Sequence, residues 1–512
     1  MDNNTSSHSF VGIQPSSTSE MAEFTVKAYP IKSTGKSVEN IATYIDPVIE
    51  KSLVRKLDLR IVTWSTIALF VDNLNRYNLQ NAFIMGMDKD LDLNSNLYNW
   101  AVTIFFIAGT VLQIPGTVLI GRFSPRLILP SLFVLFGAMV CVTATVHNYQ
   151  GLWAIRLVAG SVEAAAYPGL LFFMGCWYTT PELGKRITIF SAIGQALSGA
   201  FGGLISGAIS DTLDGAHGLA AWKWLFIIEG LLCVGVGLIG YPILGDFPHN
   251  TKWLTEEERG VAMLRVKYQG LGTVFSASFN WKKVTKNVML NPYTWLLTIN
   301  CGCIFFGLNL VFNFSIILRD MGYTTSFSNY MLTPVNIFMA VVSIAFSWTS
   351  DRTGDRAFHL AALQFFTGIW FLIPALVGHG NNPAALIFVA TYGTTVNTTS
   401  ATLCPTWINE IYKADHDARA IAVAFTNAVG YIITNFINVK TWDVSDSPTF
   451  WLGKITAMAF SFGSVVLTMT VWFLLRINAM VPKATGGEEQ QENHSKVIIT
   501  ANPTEGYKEP IE

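Results

Sequence analysis

Charged residues are scarce in this sequence. Asp, Glu, Lys and Arg make up 13% of the 512 residues, whereas they make up about 25% of an ordinary soluble domain. Hydrophobic residues account for 51%, and the formal net charge is −1. A chain this poor in charge is too apolar for an ordinary soluble fold, and that class is excluded.

The sequence also lacks the features of disulfide-rich proteins, metalloproteins and nucleotide-driven enzymes. The six cysteines all fall in or at the ends of apolar stretches, so no disulfide framework is expected. Cys301-Gly-Cys303 has no histidine or second cysteine pair at ligand spacing, which indicates helix packing rather than a metal site. Gly235-Val-Gly237-Leu-Ile-Gly240 follows no strand, and neither a Walker motif nor a nucleophile–base set is present. We expect no cofactor, no metal, no enzymatic activity and no nucleic-acid partner.

Long apolar stretches are what the sequence has in abundance. A membrane core ~30 Å thick needs roughly 20 helical residues to cross it, and twelve stretches meet that length. Six precede and six follow a polar segment over residues 245–291. They lie near residues 59–81, 98–120, 127–147, 151–175, 186–209, 222–244, 292–317, 329–349, 357–377, 384–408, 419–441 and 451–475. The sequence predicts an all-α polytopic membrane protein with 12 transmembrane helices in two six-helix bundles.

This pattern divides the chain into five regions. The polar ends have the composition of disordered segments, and the segment between the bundles has the length of a connecting loop. We predict a disordered tail over 1–57, a six-helix bundle over 58–244, a central loop over 245–291, a second six-helix bundle over 292–476 and a disordered tail over 477–512. In the central loop, Thr255-Glu-Glu-Glu258 predicts a capping box that begins a short helix.

Lys and Arg are concentrated on one side of the predicted bilayer. The segments on the side of the two termini are rich in them, and the other side keeps only Lys89, Lys223, Arg319, Lys440 and Lys454. Because Lys and Arg near helix ends are retained in the cytoplasm, both termini are predicted to be cytoplasmic. No cleavable signal peptide is evident in residues 1–50. We expect a multi-pass protein of the plasma membrane that functions as a monomer.

The short loop between the eighth and ninth helices combines charges of both signs with a glycine. It contains Asp351, Arg352, Gly354, Asp355 and Arg356. Such a loop can form charge-assisted bonds that hold neighbouring helix ends together and release when they separate. The alternative is a charge cluster that only fixes the orientation in the membrane.

This loop resembles the G-x-x-x-D-R-x-G-R loops that mark the major facilitator superfamily between helices 2 and 3 and between helices 8 and 9. The copy between helices 8 and 9 is good. The other copy is reduced to Gly121-Arg-Phe-Ser-Pro-Arg126 and has lost its acidic residue. The resemblance implies the two-bundle major facilitator fold, with Asp351, Arg352, Gly354 and Arg356 as a gating loop.

Further motifs narrow the resemblance to one branch of that superfamily. They are Leu74-Asn75-Arg76-Tyr77-Asn78 in helix 1, Arg156-Leu-Val-Ala-Gly160-Ser-Val-Glu163 in helix 4, Trp177-Tyr178 after it, and Trp222-Lys-Trp-Leu-Phe-Ile-Ile-Glu229-Gly230 in helix 6. In this order, over residues 57–478, they are similar to the fungal anion:cation symporters, which include allantoate, nicotinate, pantothenate and biotin permeases. The resemblance implies transport of a small organic anion together with protons.

Helix 1 departs from that branch at one position. Where the branch has a Leu-Asp-Arg triplet, this chain has Leu74-Asn75-Arg76. Asp72 precedes Asn75 by three residues and shares its helix face, so it can supply a carboxylate close to the same place. The alternative is that proton coupling does not use helix 1.

Ionisable residues inside predicted spans are the strongest candidates for function, because a charge near the bilayer centre costs ~2.5–3.5 kcal/mol. Arg156 and Glu163 lie on one stripe of helix 4 with Gly160 between them. A substrate carboxylate bound to Arg156 would release Glu163 to bind a proton. Alternatively, Arg156 and Glu163 are a structural pair. Asp72 and Arg76 are open to either interpretation, whereas Glu229 with Lys223 fits a structural role better.

Uncharged polar residues inside the spans complete the candidate site. Asn427, Tyr431 and Asn435 recur four residues apart on one face of helix 11. The residues predicted to bind substrate are Arg156, Arg76, Asn78, Asn309, Asn397, Asn427 and Tyr431, and those predicted to couple protons are Glu163 and Asp72. Interhelical hydrogen bonds explain many such polar residues without a ligand.

The sequence therefore favours a secondary transporter for a small organic anion and protons, working by alternating access with its site between the two halves. A transporter-like nutrient sensor and a proton-independent facilitator are the alternatives. The motifs do not fix which anion is carried.

Overall fold

A computed structural model describes residues 10–11, 27–28, 46–268, 288–377, 384–412 and 416–480. The chain divides into two units, Met1–Lys51 and Ser52–Glu512. In the first unit, Phe10–Val11 pairs antiparallel with Lys27–Ala28. The rest of both predicted tails lies outside the described residues. All further description concerns residues 46–480.

Twelve helical spans are present within these residues. The first six are span 1 (Asp58–Val62, Thr63–Ala82 and Phe83–Met87), span 2 (Ser95–Arg122), span 3 (Pro125–Thr143), span 4 (Tyr149–Glu163 and Ala166–Gly175), span 5 (Thr180–Thr212) and span 6 (Ala221–Ile243). The last six are span 7 (Pro292–Phe306, Asn309–Phe312 and Phe314–Asp320), span 8 (Thr325–Tyr330 and Leu332–Thr353), span 9 (Arg356–Leu376), span 10 (Ala384–Thr394 and Asn397–Ile411), span 11 (His416–Thr441) and span 12 (Trp451–Met480).

The all-α fold class is confirmed. By length and composition alone, eight described helices could cross a membrane, namely those of spans 3, 4, 6, 7, 8, 9, 11 and 12. Spans 1, 2, 5 and 10 are helical where the sequence predicts helices. Most spans extend a few residues beyond the apolar stretches, because the helices continue into the polar residues at their ends.

Described elements extend beyond the predicted region boundaries in three places. Pro47–Leu57, predicted as part of a disordered tail, is helical, because Leu53 and Leu57 recur four residues apart and are both buried. Phe10–Val11 and Lys27–Ala28, in the same predicted tail, pair as strands. Span 12 continues to Met480, four residues past the predicted end of the second bundle.

The predicted capping box in the central loop is confirmed. Thr255 Oγ1 accepts from the Glu258 backbone N–H, and Glu258 Oε2 accepts from the Thr255 backbone N–H, both at 3.2 Å. The loop helix that follows is Glu256–Tyr268. Residues 269–287 of the loop lie outside the described part of the chain.

Glycines set how closely the helices of the first half approach each other. A Cβ at Gly160 on span 4 would overlap the Phe105 carbonyl oxygen on span 2. A Cβ at Gly230 on span 6 would lie 2.5 Å from Cys141 Sγ on span 3. Only glycine permits backbones to come this close, which is how small residues bring membrane helices together.

Glycines on span 5 form a small-residue face that packs against span 8 of the other half. Side chains added at Gly199, Gly203 or Gly207 would overlap Asn336, the Asn329 carbonyl and Tyr330. Thr333 Oγ1 also donates to the Ala200 carbonyl at 2.7 Å. At this contact, span 8 packs directly against the backbone of span 5.

Further contacts between the halves lie at one end of the bundle. With an even number of spans, the two ends of the described chain share one face, the terminal face, and the other is the opposite face. On or near the opposite face, Arg319 Nη1 binds Asp88 Oδ2 at 3.2 Å, Tyr330 and Ser326 donate to Asp211, and Asn99 Nδ2 donates to the Trp442 carbonyl at 3.3 Å. These bonds hold the two halves together there.

Ion pairs at the terminal face attach the loop helix to the first half. Arg265 pairs with Glu182 at the start of span 5, and Lys56 Nζ contacts Glu258 Oε1 at 2.5 Å. Burial raises the pKa of Glu258, but the hydrogen bonds from Lys56 and Thr255 outweigh it and lower the pKa overall. Separately, Arg186 binds Asp58 through two nitrogens at 2.5 and 2.8 Å, joining spans 5 and 1.

We expect Gly160→Ala to destabilise the protein, because the new methyl group overlaps the span 2 backbone and overpacking costs roughly 1–3 kcal/mol. Gly463→Ala on span 12 is the matched control, since a Cβ there meets nothing within 4 Å and alanine favours helix by about 1 kcal/mol. The measurement is the thermal unfolding midpoint of the purified proteins in detergent. An unchanged midpoint for Gly160→Ala would show that spans 2 and 4 do not pack this closely.

Candidate substrate cavity

A cavity of about 120 Å³ lies between the two halves of the bundle. Its lining comes from spans 1, 2 and 4 of the first half and from spans 7 and 11 of the second half. The lining residues are Arg76, Leu79, Gln80, Tyr98, Asn99, Val102, Thr103, Phe105, Phe106, Arg156, Phe305, Leu308, Asn309, Phe312, Asn313, Tyr431, Thr434, Asn435, Asn438, Val439 and Trp442.

The two halves contribute different chemistry to this lining. Among the described residues around the cavity, the charged ones are Arg76 and Arg156, both from the first half. The second half contributes four asparagines and the phenol of Tyr431. The cavity is therefore cationic on one side, and neutral and rich in hydrogen-bonding groups on the other.

Arg156 is held in place by neutral partners. Its Nη2 donates to Asn78 Oδ1 at 3.4 Å, and its guanidinium lies 5.4 Å from the centre of the Phe105 ring. The side chain is buried, and among the described residues no carboxylate forms an ion pair with it. Arg156 thus presents to the cavity a charge that an amide and an aromatic ring only partly compensate.

Arg76 belongs to a cluster of carboxylates. Its Nη2 pairs with Glu163 Oε1 on span 4 and lies 3.7 Å from Asp72 Oδ2, one turn earlier on span 1. Asp72 is 1% exposed, and neither of its oxygens accepts a hydrogen bond from a described residue. Glu163 lies behind Arg76 rather than among the lining residues.

The structure therefore differs from the pairing of Arg156 with Glu163 that the sequence suggested. The two residues do share one face of span 4, and both are buried. Seven residues of helix separate them, a rise of about 10 Å, so the two groups face different neighbours. The partner of Glu163 is Arg76, which comes from span 1.

An aromatic stack crosses the cavity from one half to the other. Tyr431 on span 11 stacks on Phe305 of span 7, with ring centres 4.2 Å apart and planes 17° apart. Phe106 of span 2 is also near-parallel to the Tyr431 ring, at 6.0 Å and 8°. The three rings provide apolar contacts beside the polar lining.

The asparagines of the second half form a hydrogen-bonded group. Asn438 Nδ2 donates to Asn309 Oδ1 at 2.9 Å, and Asn309 Nδ2 donates to the Phe306 carbonyl at 2.7 Å. Asn313 and Asn435 each donate to a backbone carbonyl four residues earlier in the chain. These contacts orient the amides and fix which of their atoms face the cavity.

Three residues from the predicted substrate set are not part of the lining. Asn397 is fully buried, donates to the Ile304 carbonyl at 2.7 Å and accepts from Gln364 at 2.5 Å, so it joins spans 7, 9 and 10. Asn427 lies one turn before Tyr431, outside the lining. Asn78 supports Arg156 from behind. None of the three borders this cavity, and their contact with substrate stays a prediction.

Several lining residues were missed by sequence reasoning. Tyr98, Gln80 and Asn438 border the cavity. The signal for Asn438 was present, because it continues the polar face of span 11 beyond Tyr431 and Asn435 by another helical turn. Nothing in the sequence separated Tyr98 or Gln80 from the many other polar residues at helix ends.

The predicted gating loop forms a compact network at the terminal face. Arg356 contacts Asp351 Oδ1 at 2.5 Å and Glu410 Oε1, at the end of span 10, at 3.0 Å. Gly354 ends span 8 in the left-handed conformation, with φ of 69°. The guanidinium of Arg352 stacks over Trp348 at 5.3 Å instead of joining the network. The bonds to Arg356 connect three helix ends within the second half.

Comparisons with known proteins place the chain in a family. Residues 65–435 match the family model described as Major Facilitator Superfamily. The chain is 30% identical over 442 residues to the MFS-type transporter cnsO of Penicillium expansum, covering 83% of each protein. It is 30% identical over 455 residues to the uncharacterized transporter C1002.16c of Schizosaccharomyces pombe, covering 88% of each.

Solved structures share the fold at low sequence identity. The xylose transporter XylE from E. coli, in a partially occluded inward-open conformation, has a TM-score of 0.60 and 12% identity, covering 84% of this chain and 99% of that one. A D-xylose–proton symporter has a TM-score of 0.60 and 13% identity, covering 81% and 97%. The chain belongs to the Major Facilitator Superfamily and is a membrane transporter of that family.

Proposed function

We propose that this transporter takes up a small organic anion together with protons, as the fungal anion:cation symporters do. The observation that carries the proposal is the cationic side of the cavity, where Arg76 and Arg156 are the charged residues among those described. A carboxylate bound there would complete the neutralisation of Arg156 in a site where unpaired charge is costly. The cavity of about 120 Å³ suits a small molecule.

The different character of the two halves suggests how the substrate lies. Its carboxylate would face Arg156 in the first half, and its neutral part would face the second half. There, Asn309, Asn313 and Asn435 offer amide groups, and the rings of Phe305 and Tyr431 offer apolar contact. A monocarboxylate with a hydrogen-bonding or planar body matches this arrangement, as in a vitamin-type or nitrogen-containing acid.

Proton coupling would follow from competition for Arg76. A substrate carboxylate that draws Arg76 toward the cavity would take it from Glu163. Glu163 would then be a buried charge without its partner, and binding a proton would relieve that cost. Asp72, 3.7 Å from the same guanidinium, is the second candidate for this proton.

In this proposal the termini are cytoplasmic and the protein resides in the plasma membrane. The terminal face would then be the cytoplasmic face. The bonds between Arg319 and Asp88 and from Tyr330 to Asp211 would close the outer side. The conformation described above would correspond to the inward-facing state of an alternating-access cycle.

We expect Arg156→Ala to reduce uptake of the anion roughly 10-fold or more, because a hydrogen bond to a charged group contributes about 1.5–3 kcal/mol. The measurement is uptake of a panel of labelled carboxylates by transporter-deficient cells, with surface expression quantified. Arg476→Ala is the control, since Arg476 stacks on Trp472 at the end of span 12, away from the cavity. Full uptake by Arg156→Ala would refute the anion site.

We expect Glu163→Gln to bind and exchange the anion but no longer to concentrate it, because the amide cannot carry a proton. The measurement is accumulation with and without an uncoupler in the same cells. Glu257→Gln, exposed on the loop helix and outside the cavity lining, should keep uncoupler-sensitive accumulation. If Glu163→Gln also keeps it, the proton site lies elsewhere, and Asp72→Asn is the next variant. Wild-type uptake that ignores the uncoupler would indicate a facilitator, and binding without uptake would indicate a sensor.

A further inference from the structure

Glu229 on span 6 is a buried acidic residue that the scheme above does not use. Its side chain is 0% exposed, and neither carboxylate oxygen has a hydrogen-bond partner among the described residues. An ionised carboxylate in that place would be a buried charge without a donor, which proteins avoid by protonating the group. Glu229 is therefore a buried acid whose charge no close hydrogen bond from a described residue would compensate.

One amide connects this acid to the cavity. The side chain of Asn78 lies beside the Glu229 carboxyl, although Asn78 Nδ2 donates no hydrogen bond to any described residue. At its other end, Asn78 Oδ1 accepts from Arg156 Nη2 at 3.4 Å. Asn78 thus lies between an acid sealed from solvent and the arginine that lines the cavity.

The backbones around Glu229 are closely packed. Asn75 Nδ2 on span 1 lies 3.5 Å from the Glu229 carbonyl oxygen. The neighbouring Gly230 lies against Cys141 of span 3. Spans 1, 3 and 6 leave little room for the backbone to move, so a change in the charge of Glu229 acts mainly on nearby side chains.

Other titratable groups near Glu229 have different partners. Asp72 on span 1 lies near Cys233, and its nearest cation is Arg76 at 3.7 Å. Cys233, one turn after Glu229, donates to the Phe133 carbonyl at 3.3 Å, and Cys141 on span 3 lies 3.8 Å from the Ile227 carbonyl. The cation linked to Glu229 through Asn78 is Arg156.

We propose that Glu229 is a proton-sensing positioning residue for Arg156 and acts through Asn78. When Glu229 is protonated, Asn78 leaves Arg156 directed at the cavity. When Glu229 ionises, it attracts the Asn78 amide and the guanidinium beyond it, which withdraws positive charge from the cavity. The inference rests on the proposed function, because it takes Arg156 as the residue that binds the substrate anion.

The direction of the pH effect follows from linkage. Protonated Glu229 favours anion binding, so the affinity for the substrate is highest at acidic pH and falls as the pH rises through the titration of Glu229. By reciprocity, the bound anion favours the protonated acid. The apparent affinity can change by up to about tenfold per pH unit, the limit for linkage to one proton.

The first test measures KM and maximal rate for the carboxylate found in the uptake panel, from acidic to neutral pH. Wild type should show a KM that rises with pH while the maximal rate changes less. Because Glu163 is proposed to take up a proton with the substrate, the role of Glu229 is isolated by measuring exchange in the Glu163→Gln background, where KM should still rise with pH. Adding Glu229→Gln, which imitates the protonated acid, should keep KM low at every pH. Adding Asp246→Asn is the control, because Asp246 follows span 6 outside the cavity lining, and the pH dependence of KM should remain. A pH-dependent KM after adding Glu229→Gln, or its loss with Asp246→Asn as well, would overturn the proposal.

The second test needs no substrate. The infrared spectrum of purified wild-type protein at neutral pH should contain a carbonyl band from a protonated buried acid, and Glu229→Gln should lose it. A wild-type spectrum without such a band, or one that Glu229→Gln leaves unchanged, would refute the assignment. If no carboxylate is bound or transported by wild type, the proposed function fails, and the infrared result still decides the state of Glu229.

Discussion

A guanidinium inside a membrane protein has to be neutralised by what surrounds it, and the two arginines of the cavity are neutralised unequally. Arg76 pairs with Glu163 and has Asp72 within 3.7 Å. Arg156 has an amide at 3.4 Å and an aromatic face, both neutral. The positive charge of Arg156 is therefore the less compensated of the two, and the cavity lies beside it.

This inequality arises from three helices of the first half. Span 4 carries Arg156 and Glu163 on one face, but two turns apart. Span 1 supplies Asn78 to the first and Arg76 to the second. Span 2 can approach span 4 closely because residue 160 is glycine, which brings the Phe105 ring beneath Arg156. The second half adds no charge to the described lining, only amides and rings, so it would recognise the neutral body of a ligand.

Much of the fold was predictable because hydrophobic length alone determines what can cross a bilayer. The twelve apolar stretches correspond to twelve helical spans, and the capping box at Thr255 began the loop helix where expected. Periodicity also placed Arg156 and Glu163 on one face of span 4.

The partners of these residues were not predictable, because they come from other helices whose rotation and depth leave no local pattern. The same limit explains Asn397 and Asn427. A buried amide that bonds a neighbouring helix and one that faces a ligand are identical in sequence, and only the packing of spans 7, 9 and 10 around Asn397 distinguishes them.

The three stacked rings are divided unequally between the two halves, which determines where the stack can open. Phe305 and Tyr431 both belong to the second half and are 4.2 Å apart, whereas Phe106 belongs to the first half and is 6.0 Å from Tyr431. Any separation of the halves must therefore part the stack between Phe106 and Tyr431. The part of the Tyr431 ring that Phe106 had contacted would then be uncovered, while its contact with Phe305 would remain within the second half.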